Sequence, residues 1–179
     1  MILVLTGPVH GGKTTFLERS LARWAACGLP YGGYLSVAVT GASGAMGYDL
    51  LELKSGRRQP YLRQEGEPGA ERSGPFFFVP ETLELARSII READSGEFLV
   101  VDEVGPLELL GGGLWPVLRE ALSRPGLRCL LVVREEILKN VVAAIAPIVP
   151  FIFDVRDPNV QKLLDGSLLG TVKADDSQS

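Results

Sequence analysis

Eight residues near the start of the chain, Gly7-Pro8-Val9-His10-Gly11-Gly12-Lys13-Thr14, have the spacing GxxxxGK[ST]. Such a loop can hold a chain of phosphates. Glycines adopt positive φ and leave no side chain in the way, so several backbone N–H groups can point at one anion. A helix starting at the loop adds the positive end of its dipole. In this arrangement, a P-loop, Lys13 reaches β- and γ-phosphate oxygens and the Thr14 hydroxyl binds Mg²⁺. Thr15 extends the loop contacts. His10 lies inside the loop, where a side chain usually points away from the phosphates, so both a direct contact and a solvent-facing role stay open.

A second constellation is Phe98-Leu99-Val100-Val101-Asp102-Glu103, four apolar residues that deliver two carboxylates to a strand end. In open α/β sheets ligands gather outside the carboxyl ends of strands. If this strand lies beside the first, Asp102 comes near a magnesium ion held by Thr14, and Glu103 is placed to activate water as a general base. Arg134 follows the apolar strand Cys129–Val133 and can contact a γ-phosphate, or form a surface salt bridge to Glu135 or Glu136. Arg57, Arg58, Arg63 and Arg72 crowd the segment Lys54–Gly74, either as a lid over phosphates or as a solvated surface.

The elements that must position these groups read as α/β. Ile2–Leu5 is a continuous apolar run ending in Thr6-Gly7, the pattern of a strand buried on both faces. Leu17, Leu21 and Trp24 then recur at helical spacing. Gly33–Thr40 and Met46–Leu53, joined through Gly41–Gly44, predict an antiparallel hairpin. Lys54–Gly74 reads as a loop, and Phe76-Phe77-Phe78 as core or subunit contact rather than a base-stacking platform. A helix is expected after Pro80, a strand at Phe98–Val101, helices around Leu114–Leu122 and Ile137–Ile145, a strand at Cys129–Val133, a last strand within Val149–Val155, and a short helix after Pro158. Buried strands alternating with helices specify a mainly parallel sheet flanked by helices, with an added antiparallel hairpin.

The 179 residues, 46% hydrophobic and 22% charged, suit one core, so one domain is expected over 1–173 with a polar, disordered tail at 174–179. A formal charge of −4 argues against a nucleic-acid or acidic-membrane surface and for a small-molecule partner. Nothing in the sequence sets an oligomeric state. Two cysteines without CxxC spacing and a single histidine argue against structural zinc, and both thiols read as buried and reduced. The run Ile2–Leu5 is too short for a signal peptide, and no run reaches the ~20 apolar residues of a membrane span, so a cytoplasmic protein is expected.

With Gly7–Thr15, the hairpin Gly33–Leu53 followed by Ser55-Gly56-Arg57-Arg58, and Asp102-Glu103-Val104-Gly105-Pro106-Leu107-Glu108-Leu109, the chain resembles the small nucleoside-triphosphatases of thermophiles and the vertebrate cancer-related nucleoside-triphosphatase. The likeness runs from about Met1 to Asp154, and the Asp102–Leu109 stretch is its most specific part. The resemblance implies a RecA-like P-loop fold that hydrolyses ATP, GTP and other nucleoside triphosphates to diphosphate and phosphate with Mg²⁺. Two other functions compete with it. One is a nucleotide-kinase-like phosphotransferase with an arginine lid, although no second nucleotide pocket is evident in the sequence. The other is a slow nucleotide-dependent switch or adaptor.

Overall fold

In β1 (Ile2–Gly7) all six residues are buried. Successive side chains of a strand point to opposite faces, and here both faces find a core. Ile2 and Val4 join the cluster that contains Leu83, Ile90, Leu118 and Val141, whereas Leu3 and Leu5 join the one that contains Leu17, Trp24, Leu164 and Leu168. The computed structural model describes residues 1–42 and 44–175, which form a mixed sheet with helices on both faces. On one face pack α1 (Lys13–Ala26) and α6 (Val160–Asp175). On the other lie α2 (Pro80–Arg91), the short α3 (Pro106–Leu109), α4 (Trp115–Leu122) and α5 (Leu138–Ala144). Among the described residues no helix is long and apolar enough to cross a membrane.

The remaining strands are β2 (Tyr31–Gly41), β3 (Gly44–Glu52), β4 (Arg58–Arg63), β5 (Arg72–Ser73), β6 (Phe76–Phe78), β7 (Phe98–Val104), β8 (Arg128–Arg134) and β9 (Phe151–Asp154). Their order across the sheet is β5-β6-β4-β3-β2-β7-β8-β1-β9. From β2 to β9 neighbours are parallel, as expected for buried apolar strands separated by helices. Beyond Tyr34 the strand β2 outruns β7 and pairs antiparallel with β3 instead.

Three sequence expectations are corrected. The segment Lys54–Gly74 is not simply a loop, because it contains β4 and β5, which with β3 and β6 form a four-stranded antiparallel wing on the same sheet. Pro60 hid β4: proline interrupts a strand pattern, and here it sits beside a register shift opposite Tyr48 and Asp49, a position that tolerates it. The helix after Pro158 is long, running through Ala174 and Asp175, which the predicted tail included; residues 176–179 lie outside the described residues. Gly166 and Gly170 weakened its signal, but Val160, Leu164 and Leu168 repeat every four residues and are buried, and Asp165 accepts a hydrogen bond from the Trp24 indole at 2.8 Å. Cys27, finally, is exposed just past the end of α1, whereas Cys129 is buried in β8, where burial pushes its thiol pKa well up.

The β2–β7 junction depends on Gly33. It has φ +106, and a Cβ there would collide with the backbone of Val100, including its carbonyl oxygen. Gly33→Ala is expected to cost more than about 1 kcal/mol, lowering Tm by at least about 2–4 °C. Gly56→Ala, where nothing lies within 4 Å of the added methyl, should cost less. Thermal melts followed by circular dichroism check this, and equal shifts for both variants would contradict the close approach.

Candidate active site

The glycine loop begins where β1 ends. Gly11 N–H donates to the Pro8 carbonyl at 3.0 Å, closing a tight turn. His10 and Gly12 both have positive φ, 58° and 79°, and Gly12 leads directly into α1. Lys13, the first helical residue, is buried and folds its ammonium back over the loop, donating to the carbonyls of Gly7 at 3.1 Å and Pro8 at 2.8 Å. His10, Gly11, Gly12 and Thr15 are exposed to solvent, and with Val9, Lys13 and Thr14 they line a cavity of about 350 Å³.

Thr14 points at Asp102. Its hydroxyl donates to Asp102 Oδ2 at 2.8 Å, and the Ser36 N–H donates to the same oxygen at 3.3 Å. The two sequence motifs therefore meet, but not through neighbouring strands: β8 lies between β1 and β7, correcting the expected adjacency. Two strand spacings, about 10 Å, separate β1 from β7. The loop Pro8–Gly12 and the start of α1 supply that reach. Both carboxylates also sit within β7 rather than after it, at a shift in its register with β8 between Val101 and Val104.

Asp102 is 2% exposed. Burial, followed by repulsion from Glu103, raises its pKa to about 7, while the Thr14 and Ser36 hydrogen bonds and the Lys13 charge oppose the rise. Glu103 is engaged elsewhere. Arg134 Nε donates to Glu103 Oε1 at 2.6 Å, and a second guanidinium nitrogen binds the same oxygen. Burial works against the Arg134 charge, but the Glu103 carboxylate outweighs it and holds the guanidinium pKa above its ordinary value. The anticipated salt-bridge alternative is thus replaced: Arg134 pairs with Glu103, and Glu135 pairs with Arg156 at 2.8 Å.

Among the described residues no cluster of three or more His, Cys, Asp and Glu side chains could cage a metal ion. Magnesium does not need such a cage, since it keeps several waters and is commonly held by one or two carboxylates plus phosphate oxygens. A buried carboxylate facing a threonine hydroxyl beside the glycine loop fits that donor set.

Other lining residues were missed from sequence. Ser36 acts through its backbone, which no side-chain pattern announces. Tyr48, Tyr61, Leu62, Ser73 and Phe78 arrive from the wing strands, two of which lay within the expected loop. Burial, then the Glu103 charge, pushes the Tyr48 phenol pKa up. Glu108 is buried, and its two oxygens accept from Gly105 N–H at 2.8 Å and Leu114 N–H at 3.2 Å, pinning the loop that follows the carboxylates. The arginine cluster does not line the cavity. Arg58 and Arg63 bind Asp49 at 2.8 and 2.5 Å, and Arg72 donates to the Gly74 carbonyl and lies over the Phe77 ring.

Known proteins share this arrangement of elements. The NTPase family model matches residues 2–166. The cancer-related nucleoside-triphosphatase of Homo sapiens is 32% identical over 132 residues, 68% of this chain and 69% of its own length. Its Mus musculus homolog is 30% identical over 133 residues, covering 69% and 70%. Nucleoside-triphosphatase THEP1 of Thermofilum pendens is 28% identical over 122 residues, covering 67% and 66%. The solution structure of a human cancer-related nucleoside triphosphatase superimposes with a TM-score of 0.68 at 26% identity, over 99% of this chain and 98% of that one. The THEP1 crystal structure from Aquifex aeolicus gives 0.74 at 17% identity, over 94% and 99%, a likeness of fold. The chain belongs to the NTPase family of nucleoside-triphosphatases.

Proposed function

We propose that residues 1–173 form one RecA-like P-loop domain, with the antiparallel wing inserted beside β2, that binds a nucleoside triphosphate with Mg²⁺ and hydrolyses ATP, GTP and related triphosphates to diphosphate and phosphate. The observation that carries this reading is the 2.8 Å hydrogen bond from Thr14 to buried Asp102, which joins the phosphate loop to the strand of carboxylates. In this reading the backbone of Gly7–Thr15 cradles the phosphates and Lys13 exchanges its loop carbonyls for β- and γ-phosphate oxygens. Thr14 would hold Mg²⁺ directly and Asp102 through water. The bound ion would neutralise charge that develops on the phosphates.

Glu103 orients the attacking water and takes its proton, and Arg134 meets the γ-phosphate. Their ion pair gives the two roles a physical link. While Arg134 holds Glu103, the guanidinium occupies and orients the carboxylate. As the guanidinium turns toward phosphate charge, the carboxylate is released to accept a proton. The kinase reading gains nothing from the arginines of the wing, since Arg58, Arg63 and Arg72 are bound away from the cavity.

Lys13→Ala is expected to weaken triphosphate binding roughly ten- to hundredfold, the loss of one or two charge-assisted hydrogen bonds, in a protein whose circular dichroism is unchanged. Calorimetric titration with a non-hydrolysable triphosphate reads it, and unaltered affinity would remove the P-loop assignment.

Glu103→Gln should lower phosphate release by roughly 10²–10⁴ with affinity for the triphosphate held within a few-fold. Because Glu103 and Arg134 are paired, the double variant with Arg134→Ala should lose much less than the product of the two single losses. Wild-type turnover in Glu103→Gln would refute the base, and strictly multiplicative losses would refute the coupling.

A further inference from the structure

The cavity reaches further than hydrolysis requires. Its lining crosses the sheet from the glycine loop to Arg134 on β8 and Asp102 on β7, past Tyr48 on β3, to Tyr61 on β4 and Phe78 on β6. Five strand spacings, roughly 24 Å of sheet, separate β1 from β4. The carboxylates of β7 stand between the two ends. In the reading above, a triphosphate gripped by Lys13 and Thr14 would have its γ-phosphate toward Asp102 and Glu103 and its nucleoside on the opposite side of the loop. What lies beyond the carboxylates therefore faces the γ-phosphate. A hydrolase needs room there for one water, about 30 Å³.

The wing strands add side-chain walls on that side of the cavity. Tyr61 and Phe78 stand edge to face with ring centroids 5.1 Å apart, and Leu62 pairs with Phe78 across the strands. Ser73 lies next to Gly105, the residue pinned by Glu108, so a hydroxyl and a carboxylate adjoin these apolar surfaces. Tyr61 and Phe78 are only 3% and 6% exposed and close the far end of the cavity, and apolar walls with a few convergent polar groups are the make-up of a small-molecule subsite. The charge of the recess restricts its ligand. The lining lysine and arginine, Lys13 and Arg134, belong to the loop and to Glu103, while Asp102, Glu103 and Glu108 supply negative charge. An acceptor bearing its own phosphate would meet carboxylates without a cation to pair with.

We infer that this recess is the subsite of a second substrate, an uncharged, ring-bearing alcohol of the nucleoside class, to whose hydroxyl the γ-phosphoryl group is transferred. The inference rests on the triphosphate-binding reading above. In the transfer the acceptor hydroxyl gives its proton to Glu103, its oxygen forms a bond to the γ-phosphorus, and the bond from that phosphorus to the bridging oxygen breaks. The electron pair of that bond leaves on the nucleoside diphosphate. Hydrolysis is then the same displacement with water in the recess.

The test incubates the full chain with γ-labelled ATP and Mg²⁺, alone and with adenosine, guanosine, cytidine or uridine, and in parallel with the four nucleoside monophosphates. Label should pass into a nucleoside monophosphate with at least one nucleoside, at the expense of free phosphate, and should not pass to the monophosphates. Label found only as free phosphate with every nucleoside overturns the subsite and leaves the triphosphatase reading intact. Nucleoside phosphorylation without any phosphate release in its absence overturns hydrolysis and upholds the subsite. Transfer to monophosphates alone overturns the uncharged acceptor. Ser73→Ala and Phe78→Leu should each raise the KM for the nucleoside roughly three- to tenfold with the KM for ATP unchanged. A matching rise in the KM for ATP would mean that the recess holds the base of the triphosphate, which overturns the proposal.

Discussion

The hydrogen bond between Thr14 and Asp102 joins two parts of the chain 88 residues apart at a point where neither can be moved alone. Thr14 is fixed by the loop that leaves β1 and by the first turn of α1, whose inner face is buried through Leu17, Leu21 and Trp24. Asp102 is fixed by β7, apolar on both faces and held between β2 and β8. A carboxylate this deeply buried is costly without partners. Thr14, Ser36 and the charge of Lys13 lower that cost, and a divalent cation with its phosphates would lower it further. The apolar sheet holds the carboxylate where its hydrogen-bond partners meet it.

The neighbouring ion pair joins two adjacent strands at the same place. Glu103 is partly exposed, on the cavity side of Asp102, and Arg134 comes to it from the adjacent strand β8. Separated from β1 by β8, β7 leaves room for Arg134 to stand between the glycine loop and the carboxylates. Had β7 been next to β1, that position would not exist. Glu108 serves the same site from behind: by accepting from Gly105 and Leu114 it fixes the chain as it leaves β7, so the carboxylates are held from both sides.

The antiparallel wing alters what such a site can address. Beyond Tyr34, β2 carries on past its parallel partner, and β3, β4, β5 and β6 extend the sheet from it. Asp49 ties Arg58 and Arg63 into the wing, which turns their charges away from the cavity and leaves aromatic and hydroxyl groups facing it. The wing thus contributes shape and apolar surface, whereas the glycine-loop end contributes charge.

Local patterns in the sequence carried the glycine loop between β1 and α1, the apolar strand before Asp102 and Glu103, and the helices after Pro80 and around Leu118, because each rests on residues close together in the chain. A strand buried on both faces, a glycine loop and an amphipathic helix are written in runs of four to fourteen residues, and β1 and α1 match them. The Glu108 contacts were half legible, as a carboxylate at fixed spacing after a glycine and proline. What the sequence could not carry was the order of the strands, since parallel neighbours are chosen by long crossovers and packing rather than by adjacent residues. For that reason the placement of β8 between β1 and β7, the Glu103–Arg134 pair and the arrival of Tyr61 and Phe78 at the cavity were decided only by the tertiary structure. The same holds for β4, whose proline contradicts a strand locally and is accommodated only where β3 shifts its register.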